Sequence, residues 1–208
     1  MTNRPTILIV DDDAAMRDSL RALMESASYV ARTFDSAQAL LQEAVPSGSC
    51  LITDIRMPEM NGLELQEEIA RRELELPIIF MTGHGDVPLA VRAMKAGAVD
   101  FVEKPFADSL MLASVKHALK AGQQHSDRIA EAKTAHDLIA SLTPRELTVL
   151  EKLVAGRSNK VAAYELGISP RTIEIHRANI MDKMNARSLS EVVRIALAAE
   201  YAQWLDHA

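Results

Sequence analysis

Acidic side chains follow two of the apolar runs in this chain of 208 residues. Leu51–Asp54 reads as a buried strand that ends in a carboxylate, and Arg56–Pro58 with Asn61–Gly62 predicts a turn directly after it. An earlier run, Ile7–Val10, is followed by the acids Asp11–Asp13. Open α/β sheets hold their ligands outside the carboxyl ends of the strands. We therefore expect two strand ends to deliver carboxylates to one place.

This acidic cluster has a definite chemical use. Clustered carboxylates repel each other, so they either take up protons or hold a hard cation through oxygen ligands. Mg²⁺ fits best, because it binds one or two carboxylates plus phosphate oxygens and keeps several waters. A carboxylate beside the ion can act as a nucleophile and form an acyl phosphate. The alternative, a helix N-cap, is the role that we assign to Asp13 only, while Asp11 and Asp12 do more.

Two further strand ends carry groups that suit a phosphorylated carboxylate. The run over 77–81 stops at Thr82, and the run over 101–103 is followed by Lys104 and Pro105. A hydroxyl and an ammonium compensate the oxygens and the charge that phosphorylation of Asp54 would add. Each residue is a weak signal alone, but the set in this order is strong.

These motifs together resemble the receiver domain of two-component response regulators. The segments that carry the resemblance are Val10-Asp11-Asp12, Asp54 with Met57-Pro58 and Asn61-Gly62, Thr82-Gly83, and Lys104-Pro105. The resemblance implies that Asp54 is the phosphoacceptor. It also implies a Mg²⁺ cofactor, with Asp12 as a direct ligand, Asp11 helping through water, and Asp54 and the backbone carbonyl of Arg56 completing the set.

The same resemblance implies roles for further residues. Thr82 and Phe101 match the switch pair, and Lys104 matches the partner of the phosphoryl group. In that family the bond between this lysine and Pro105 is commonly cis, and X-Pro bonds are the ones that adopt the cis form cheaply. The residues implied for phosphoryl chemistry are thus Asp54, Thr82 and Lys104.

The apolar pattern predicts the elements that position these residues. Five strand-like runs alternate with helical periodicity, which predicts a doubly wound, five-stranded parallel sheet of the flavodoxin-like type. The runs occupy residues 6–10, 29–34, 51–54, 77–82 and 101–103. Several are continuously apolar, as expected for strands that are buried on both faces.

Composition indicates two modest domains. The chain exceeds the common single-domain size, and 48% hydrophobic residues suffice for packed cores. Residues 1–125 carry 12 Lys and Arg against 18 Asp and Glu, whereas residues 143–208 carry 9 against 8. Cys50 is the only cysteine, so we expect a buried, inert thiol and no intrachain disulfide. Without a secretory or membrane-spanning apolar run, we expect a cytoplasmic protein with no membrane contact.

A change of composition predicts the domain boundaries. Gly122–Ser126 is expected to break the last helix of the first domain, after which helical periodicity resumes over 127–140. A coiled-coil role is possible, but the repeat is far shorter than three or four heptads, so we favour a semi-rigid spacer. We predict a receiver domain at 1–122, a helical linker at 123–141 and an all-α domain of four helices at 142–208.

The last domain has strong helix start and stop signals. Thr143–Glu146 combines a capping residue, proline at the first helical position and glutamate at the third. Ser158 starts a second helix that ends at Gly167, Ser169-Pro170 starts a third that reaches about Met184, and a fourth follows. A short helix, a tight glycine turn and a longer helix predict a helix-turn-helix.

The third of these helices has a core face and an outward face. Ile173, Ile180 and Met184 recur at core spacing, whereas Ile175 points outward, where a thymine methyl in the major groove is a suitable partner. The alternative is an ordinary solvated face, because residues 157–187 hold only six Lys and Arg against three acids. The predicted DNA-binding residues are Asn159, Lys160, Arg171, Thr172, Glu174, Ile175, Arg177, Ala178 and Lys183.

A second resemblance favours DNA binding over the solvated face. The region 142–199 is similar to the LuxR-type DNA-binding domain, and with the receiver motifs it is typical of the FixJ-like branch. The segments that carry this are Leu142–Glu146, Gly156 with Asn159-Lys160, Ser169–Glu174, Arg177–Met184, Thr82–Pro88 and Phe101–Phe106. The resemblance implies a sensor histidine kinase, promoter DNA and RNA polymerase as partners and action as an activator. Our hypothesis is that phosphorylation produces a homodimer, because two weak helix-turn-helix units on one palindromic site gain affinity through effective concentration.

These inferences give one hypothesis and two rivals. The hypothesis is a phosphorylation-controlled transcription regulator that is not a turnover enzyme. A phosphatase or phosphotransferase with an aspartyl phosphate would need an Asp-x-Asp motif at its nucleophile, but residue 56 is Arg and residue 52 is Ile. The second rival is a DNA-binding regulator whose receiver is a constitutive dimerisation module, and the set of acids, Thr82 and Lys104 counts against it.

Overall fold

Strands and helices alternate in the first part of the chain, and the rest of the chain is helical. The computed structural model describes residues 4–83 and 87–205, without the side chains of 87, 88, 90 and 200–205, so the His84–Asp86 part of one quoted motif lies outside it. Within the described ranges the elements are β1 Thr6–Val10, α1 Ala14–Ser26, β2 Val30–Phe34, α2 Ala37–Leu41, β3 Cys50–Asp54, α3 Gly62–Arg71, β4 Ile78–Thr82, α4 Val87–Lys95, β5 Asp100–Glu103, α5 Asp108–Ala140, α6 Pro144–Val154, α7 Asn159–Leu166, α8 Pro170–Lys183 and α9 Leu189–Leu205.

The five strands form one parallel sheet in the order β2-β1-β3-β4-β5. The predicted parallel, doubly wound architecture is confirmed, and each strand lies within one residue of its predicted bounds. The chain moves outward from β1 to β2 and then crosses back to β3 on the other side of β1. This reversal places the carboxyl ends of β1 and β3 side by side, which is where such sheets hold ligands.

Each face of the sheet has its own apolar core, because successive side chains of a strand point to opposite faces. Leu8 and Val10 of β1 pack on the side of α2, α3 and α4, while Ile7 and Ile9 pack on the side of α1 and α5. Cys50 belongs to the second core, and burial raises the pKa of its thiol to about 12, as the prediction of an inert thiol requires.

The predicted break in the last receiver helix is wrong. Helix α5 runs without interruption from Asp108 to Ala140. Gly122 serves a close contact instead, since a Cβ on this residue would lie 2.6 Å from Cγ of Pro77. A glycine inside a helix is a weak stop signal when the missing side chain makes room for a neighbouring segment.

The chain divides into two compact units, one up to Ser126 and one from Asp127 onward. The second unit therefore includes most of the segment that the sequence assigned to a separate linker. Ala132 and Ala135 are buried, and Ile139 packs against the core of this unit. Small side chains at helical spacing gave little sequence signal, although they form a packing face.

The second unit contains the predicted helix starts. Thr143 caps α6 in a capping box with Glu146, Ser158 caps α7 and Ser169 caps α8. Gly167 ends α7 in the left-handed conformation, with φ of 65°, where a residue without Cβ costs little. In the described part of the chain, no helix has the length and apolar character that crossing a bilayer requires.

Candidate functional site

Three carboxylates converge at the carboxyl edge of the sheet. Asp11 and Asp12 directly follow β1, and Asp54 is the last residue of β3. Each can offer one oxygen such that the three atoms lie within 4.8 Å of one another. Asp11 is 1% exposed and Asp54 is partly buried, whereas Asp12 is open to solvent. The prediction that these acids lie close together is therefore confirmed.

Lys104 reaches this cluster from the end of β5. Its ammonium lies 2.9 Å from Oδ2 of Asp11 and 3.3 Å from Oδ2 of Asp54. Its backbone N–H donates to the carbonyl of Thr82 at 2.8 Å, so the ends of β4 and β5 are tied together at this point. The Lys104-Pro105 bond is cis, as expected. One cation thus partly neutralises two of the three acids.

Burial and the neighbouring charges shift the pKa values of Asp54 and Lys104. Burial raises the pKa of Asp54, Lys104 lowers it, and the nearby Asp11 raises it again, with a net upward shift. For Lys104, desolvation is the largest single influence and lowers the pKa, but the hydrogen bond to Asp11 and the charges of Asp54 and Asp11 together outweigh it and raise the pKa. A second cation beside Asp11 and Asp54 would offset the negative charge that Lys104 alone does not balance.

Local hydrogen bonds fix the acidic loop after β1. The side chain of Asp13 caps α1 by accepting from the Ala15 N–H at 2.9 Å, the role that we predicted for it. Arg17 donates from Nη1 to the carbonyls of Asp11 at 2.7 Å and Asp12 at 3.0 Å. The sequence reading missed Arg17. A signal was available, because a cation in the first turns of a helix can reach back over the acids that precede it.

The turn after Asp54 depends on the absence of a side chain at Gly62. A Cβ there would lie 2.4 Å from the carbonyl oxygen of Asp54. The Gly62 N–H donates to the carbonyl of Ile55 at 2.9 Å, and Asn61 caps α3 in a capping box with Glu64. A backbone hydrogen bond from Arg56 also lowers the pKa of Asp54. The sequence predicted only a turn at Asn61-Gly62, whereas Gly62 also allows α3 to approach the backbone of Asp54.

The two residues of the implied switch pair lie in different environments. Thr82, at the end of β4, is buried beside the tie to Lys104. Phe101, on the edge strand β5, is 44% exposed, which is unusual for a phenylalanine next to a packed core. Thr82 and Phe101 thus lie on neighbouring strands, one buried and one exposed, and their role as a switch pair stays a prediction.

Helix α8 has the predicted division into two faces. Ile173 and Ile180 are fully buried and Met184 packs with them, while Ile175 is 54% exposed. The other predicted outward residues, Arg171, Glu174 and Ala178, are exposed as well. The outward face therefore presents one large apolar side chain among polar ones.

Several predicted DNA-binding side chains already have partners inside the second unit. Nη1 of Arg177 donates to Oδ1 of Asn159 at 2.7 Å, which joins α8 to the start of α7. The ammonium of Lys183 lies 2.7 Å from Oε2 of Glu146, and the Thr172 hydroxyl lies 2.8 Å from that of Ser169. Lys160 remains exposed at the start of α7. For Lys183 the structure provides a structural role, and its contact with DNA stays a prediction.

Comparisons with known protein families identify the family that each unit matches. Residues 7–116 match the response regulator receiver domain, and residues 140–196 match the bacterial regulatory proteins of the luxR family. The chain belongs to the response regulators. It is a FixJ-like transcription regulator with a receiver domain and a LuxR-type DNA-binding domain.

Similar proteins match over nearly the whole length of the chain. The transcriptional regulatory protein FixJ of Bradyrhizobium diazoefficiens is 50% identical over 201 residues, which cover 96% of this chain and 98% of that protein. FixJ of Rhizobium meliloti is 43% identical over 198 residues, with 94% and 97% covered. A low-resolution structure of the response regulator StyR has a TM-score of 0.78 at 41% identity and covers 93% of this chain and 98% of that one. A crystal structure of full-length FixJ from B. japonicum has a TM-score of 0.59 at 48% identity, with 96% and 99% covered.

Proposed function

We propose that a sensor histidine kinase phosphorylates Asp54 and that the acyl phosphate switches dimerisation and promoter binding of this regulator. The observation that supports it best is the position of Asp54. Its carboxylate is partly accessible, lies 3.3 Å from the Lys104 ammonium, and shares its edge of the sheet with two more acids. A structural carboxylate would be balanced by its neighbours, whereas this one is not.

Mg²⁺ is the proposed cofactor. The donor set fits, because hard carboxylate oxygens and a cluster with excess negative charge are what this ion prefers. Asp12 would bind it directly, Asp11 would assist through water, and Asp54 and the backbone carbonyl of Arg56 would complete the protein ligands. When bound, the ion stabilises the charge that develops on phosphoryl oxygens during transfer.

The transfer itself needs little from the protein beyond position and charge. An oxygen of Asp54 attacks the phosphorus of a phosphohistidine on the kinase, the P–O bond forms, and the P–N bond breaks with the electron pair leaving on the imidazole. Lys104 follows the phosphoryl oxygens with its ammonium, which is free to move from Asp54 while Asp11 still holds it. The receiver acts on itself and releases no product, so it is not a turnover enzyme.

Phosphorylation would then change the surface that α4, β5 and α5 form. The Thr82 hydroxyl moves toward the phosphoryl oxygens, and Phe101 follows into the space that it leaves. Exposed apolar side chains also occur on α4 and α5, the helices that follow β4 and β5, namely Val91, Met94 and Leu110. Such side chains on neighbouring elements suit a second copy of the chain. A two-state change at this surface would therefore alter the homodimer.

Dimerisation would act on DNA through the second unit. Helix α8 enters the major groove with Ile175 toward a thymine methyl and Glu174 toward the base edges. Arg171, Thr172 and Lys160 lie near phosphates, while the Arg177–Asn159 pair holds α7 and α8 in one arrangement. Two such units on one palindromic site gain affinity through effective concentration. As an activator, the bound dimer would contact RNA polymerase.

The test compares wild type with Asp54→Ala. Each protein is incubated with Mg²⁺ and acetyl phosphate, and the intact mass, the sedimentation coefficient and the binding to promoter DNA are measured. Wild type should gain one phosphoryl group, dimerise and bind DNA more tightly, and Asp54→Ala should do none of these. Asp35→Ala, which changes an exposed receiver acid, is the matched control and should respond like wild type. Equal dimerisation and DNA binding of wild type and Asp54→Ala would show that the receiver is a constitutive dimerisation module.

A further inference from the structure

One buried glutamine joins two helices of the receiver. Gln66 lies on α3 and is 6% exposed. Its Nε2 donates to the carbonyl of Ala96 at 3.0 Å and to that of Ala93 at 3.3 Å. Ala93 is in the last turn of α4, and Ala96 directly follows the helix. A side chain of one helix therefore closes the C-terminal end of the next.

Gln66 binds the C-terminal end of α4, where the backbone carbonyls of a helix need hydrogen-bond donors. The last carbonyls of a helix have no intrahelical donor. Here the chain turns at Gly97, with φ of 92°, and the Ala98 N–H returns to the carbonyl of Ala93 at 3.0 Å. Ala93 and Ala98 are small buried residues, so they anchor this end with little apolar area. The two amide bonds of Gln66 add to these backbone hydrogen bonds and are the ones that tie this end of α4 to α3.

The amide of Gln66 is satisfied on one side only. Both partners are carbonyls, which requires the NH₂ group to face α4. The oxygen Oε1 is buried and has no hydrogen-bond partner among the described residues. A groove of about 290 Å³ borders the side chain between α3 and α4 and is also lined by Arg92 and Lys95. There is thus space beside Gln66 into which the helix end can move.

We infer that Gln66 is a latch that holds the C-terminal end of α4 in the unphosphorylated position and so sets how readily the switch occurs. The inference rests on the proposed phosphorylation of Asp54. Helix α4 carries Val91 and Met94 of the proposed dimer surface. Bonds that are made in only one of two positions add to the difference in free energy between them. Loss of the latch therefore moves the equilibrium toward the active position.

Gln66→Leu tests the latch in the full-length protein. The substitution keeps a buried side chain of similar size and removes both amide bonds together with the unpaired oxygen. The carbonyls of Ala93 and Ala96 lose their Gln66 donor, so some loss of folding stability is expected, and urea unfolding measures it separately from dimerisation. Without phosphodonor, we expect dimerisation of Gln66→Leu to be about three- to tenfold stronger than that of wild type. The same increase should appear when Asp54→Ala/Gln66→Leu is compared with Asp54→Ala. Sedimentation velocity measures both, and amide exchange at Ala98 should become faster.

Gln38→Leu is the matched control. Gln38 lies on α2 and also has a buried Oε1 without a partner, but among the described residues no hydrogen bond joins it to α4. It should dimerise like wild type. If wild type responds to acetyl phosphate while Gln66→Leu matches it without phosphodonor, the latch is wrong and the phosphorylation switch stands. If wild type does not respond at all, both fail. Gln66→Met, which is also unable to bond the carbonyls, gives the same decision should the leucine variant unfold.

Discussion

The two units of this regulator each pair a lysine with a buried carboxylate, and the outcomes are opposite. In the receiver, one Lys104 serves both Asp11 and Asp54, and the pKa of Asp54 is raised by burial and by Asp11 in spite of that lysine. In the second unit, Lys183 serves Glu146 alone, and its hydrogen bond, with that of the Thr143 N–H, lowers the pKa of Glu146 to about 2.

The difference lies in whether the charges are balanced. Oε2 of Glu146 accepts from the Thr143 N–H at 2.8 Å, from the Thr143 hydroxyl at 2.9 Å and from Lys183 at 2.7 Å, so one lysine and two further donors stabilise a single carboxylate. The receiver cluster has more carboxylates than nearby cations. Breaking a balanced pair leaves an uncompensated charge and destabilises the fold, whereas the unbalanced cluster is the one to which we assign a cation and a phosphoryl group in our proposal.

The largest expected effect is on the unbalanced cluster. Asp12→Asn removes one charge from the proposed Mg²⁺ site, and we expect phosphorylation by acetyl phosphate to need at least about tenfold more Mg²⁺. EDTA should stop phosphorylation of wild type completely. A Mg²⁺ titration followed by intact mass measures both. Asp18→Asn, on the exposed surface of α1, is the control, and an unchanged Mg²⁺ requirement in Asp12→Asn would remove this aspartate from the ligand set.

Two isoleucines two positions apart on α8 sharpen the contrast between fold and function within the second unit. Ile173→Ala leaves a cavity in the core and should lower the free energy of unfolding by about 2–5 kcal/mol. Ile175→Ala should change stability by less than about 0.5 kcal/mol and weaken specific DNA binding about tenfold, because an apolar contact with a thymine methyl is lost. Urea unfolding and DNA titration separate the two. If Ile173→Ala weakens DNA binding and Ile175→Ala does not, the face of α8 that carries Ile175 is not the recognition face.

Gly62→Ala tests how closely the receiver cluster depends on its backbone. A Cβ 2.4 Å from the Asp54 carbonyl oxygen forces α3 or β3 to shift, so we expect a loss of about 1–3 kcal/mol of stability and slower phosphorylation. Gly48→Ala, at a glycine with open space around it, measures the cost of the substitution without that contact, although its φ of 73° adds strain. If phosphorylation is slowed equally in both variants, the close approach to Asp54 is irrelevant to the chemistry.

Much of the receiver could be predicted because the sheet imposes its own geometry. Parallel strands of four or five residues bring their carboxyl ends to one edge, so Asp11, Asp54 and Lys104 meet although Asp11 and Lys104 lie 93 positions apart in the sequence. The apolar runs alone place these ends. Arg17 and Gln66 were missed because their partners are backbone carbonyls, which the sequence does not distinguish.

The second unit shows where prediction from sequence stops. Caps and the outward direction of Ile175 follow from local rules of three or four residues, and they are confirmed. Which cations are already engaged depends on tertiary contacts, such as Arg177 with Asn159 and Lys183 with Glu146. The packing of Ala132 and Ala135 likewise depends on neighbours that are distant in sequence.

The smallest expected effect concerns the pair of Glu146 and Lys183, and it appears in the pH dependence of the folding stability. Because the pKa of Glu146 is lowered from 4.5 to about 2 in the folded chain, the stability that it contributes is complete above pH 4.5 and is lost as the pH falls toward 2. Glu146→Gln cannot lose a charge, so its stability should fall less over this range, and Lys183→Met should also flatten the profile by removing the largest cause of the shift. Urea unfolding followed by circular dichroism between pH 7 and pH 2 measures the slopes. Parallel profiles for wild type and Glu146→Gln would mean that this carboxylate, too, is not balanced by its partners, and the contrast between the two units would disappear.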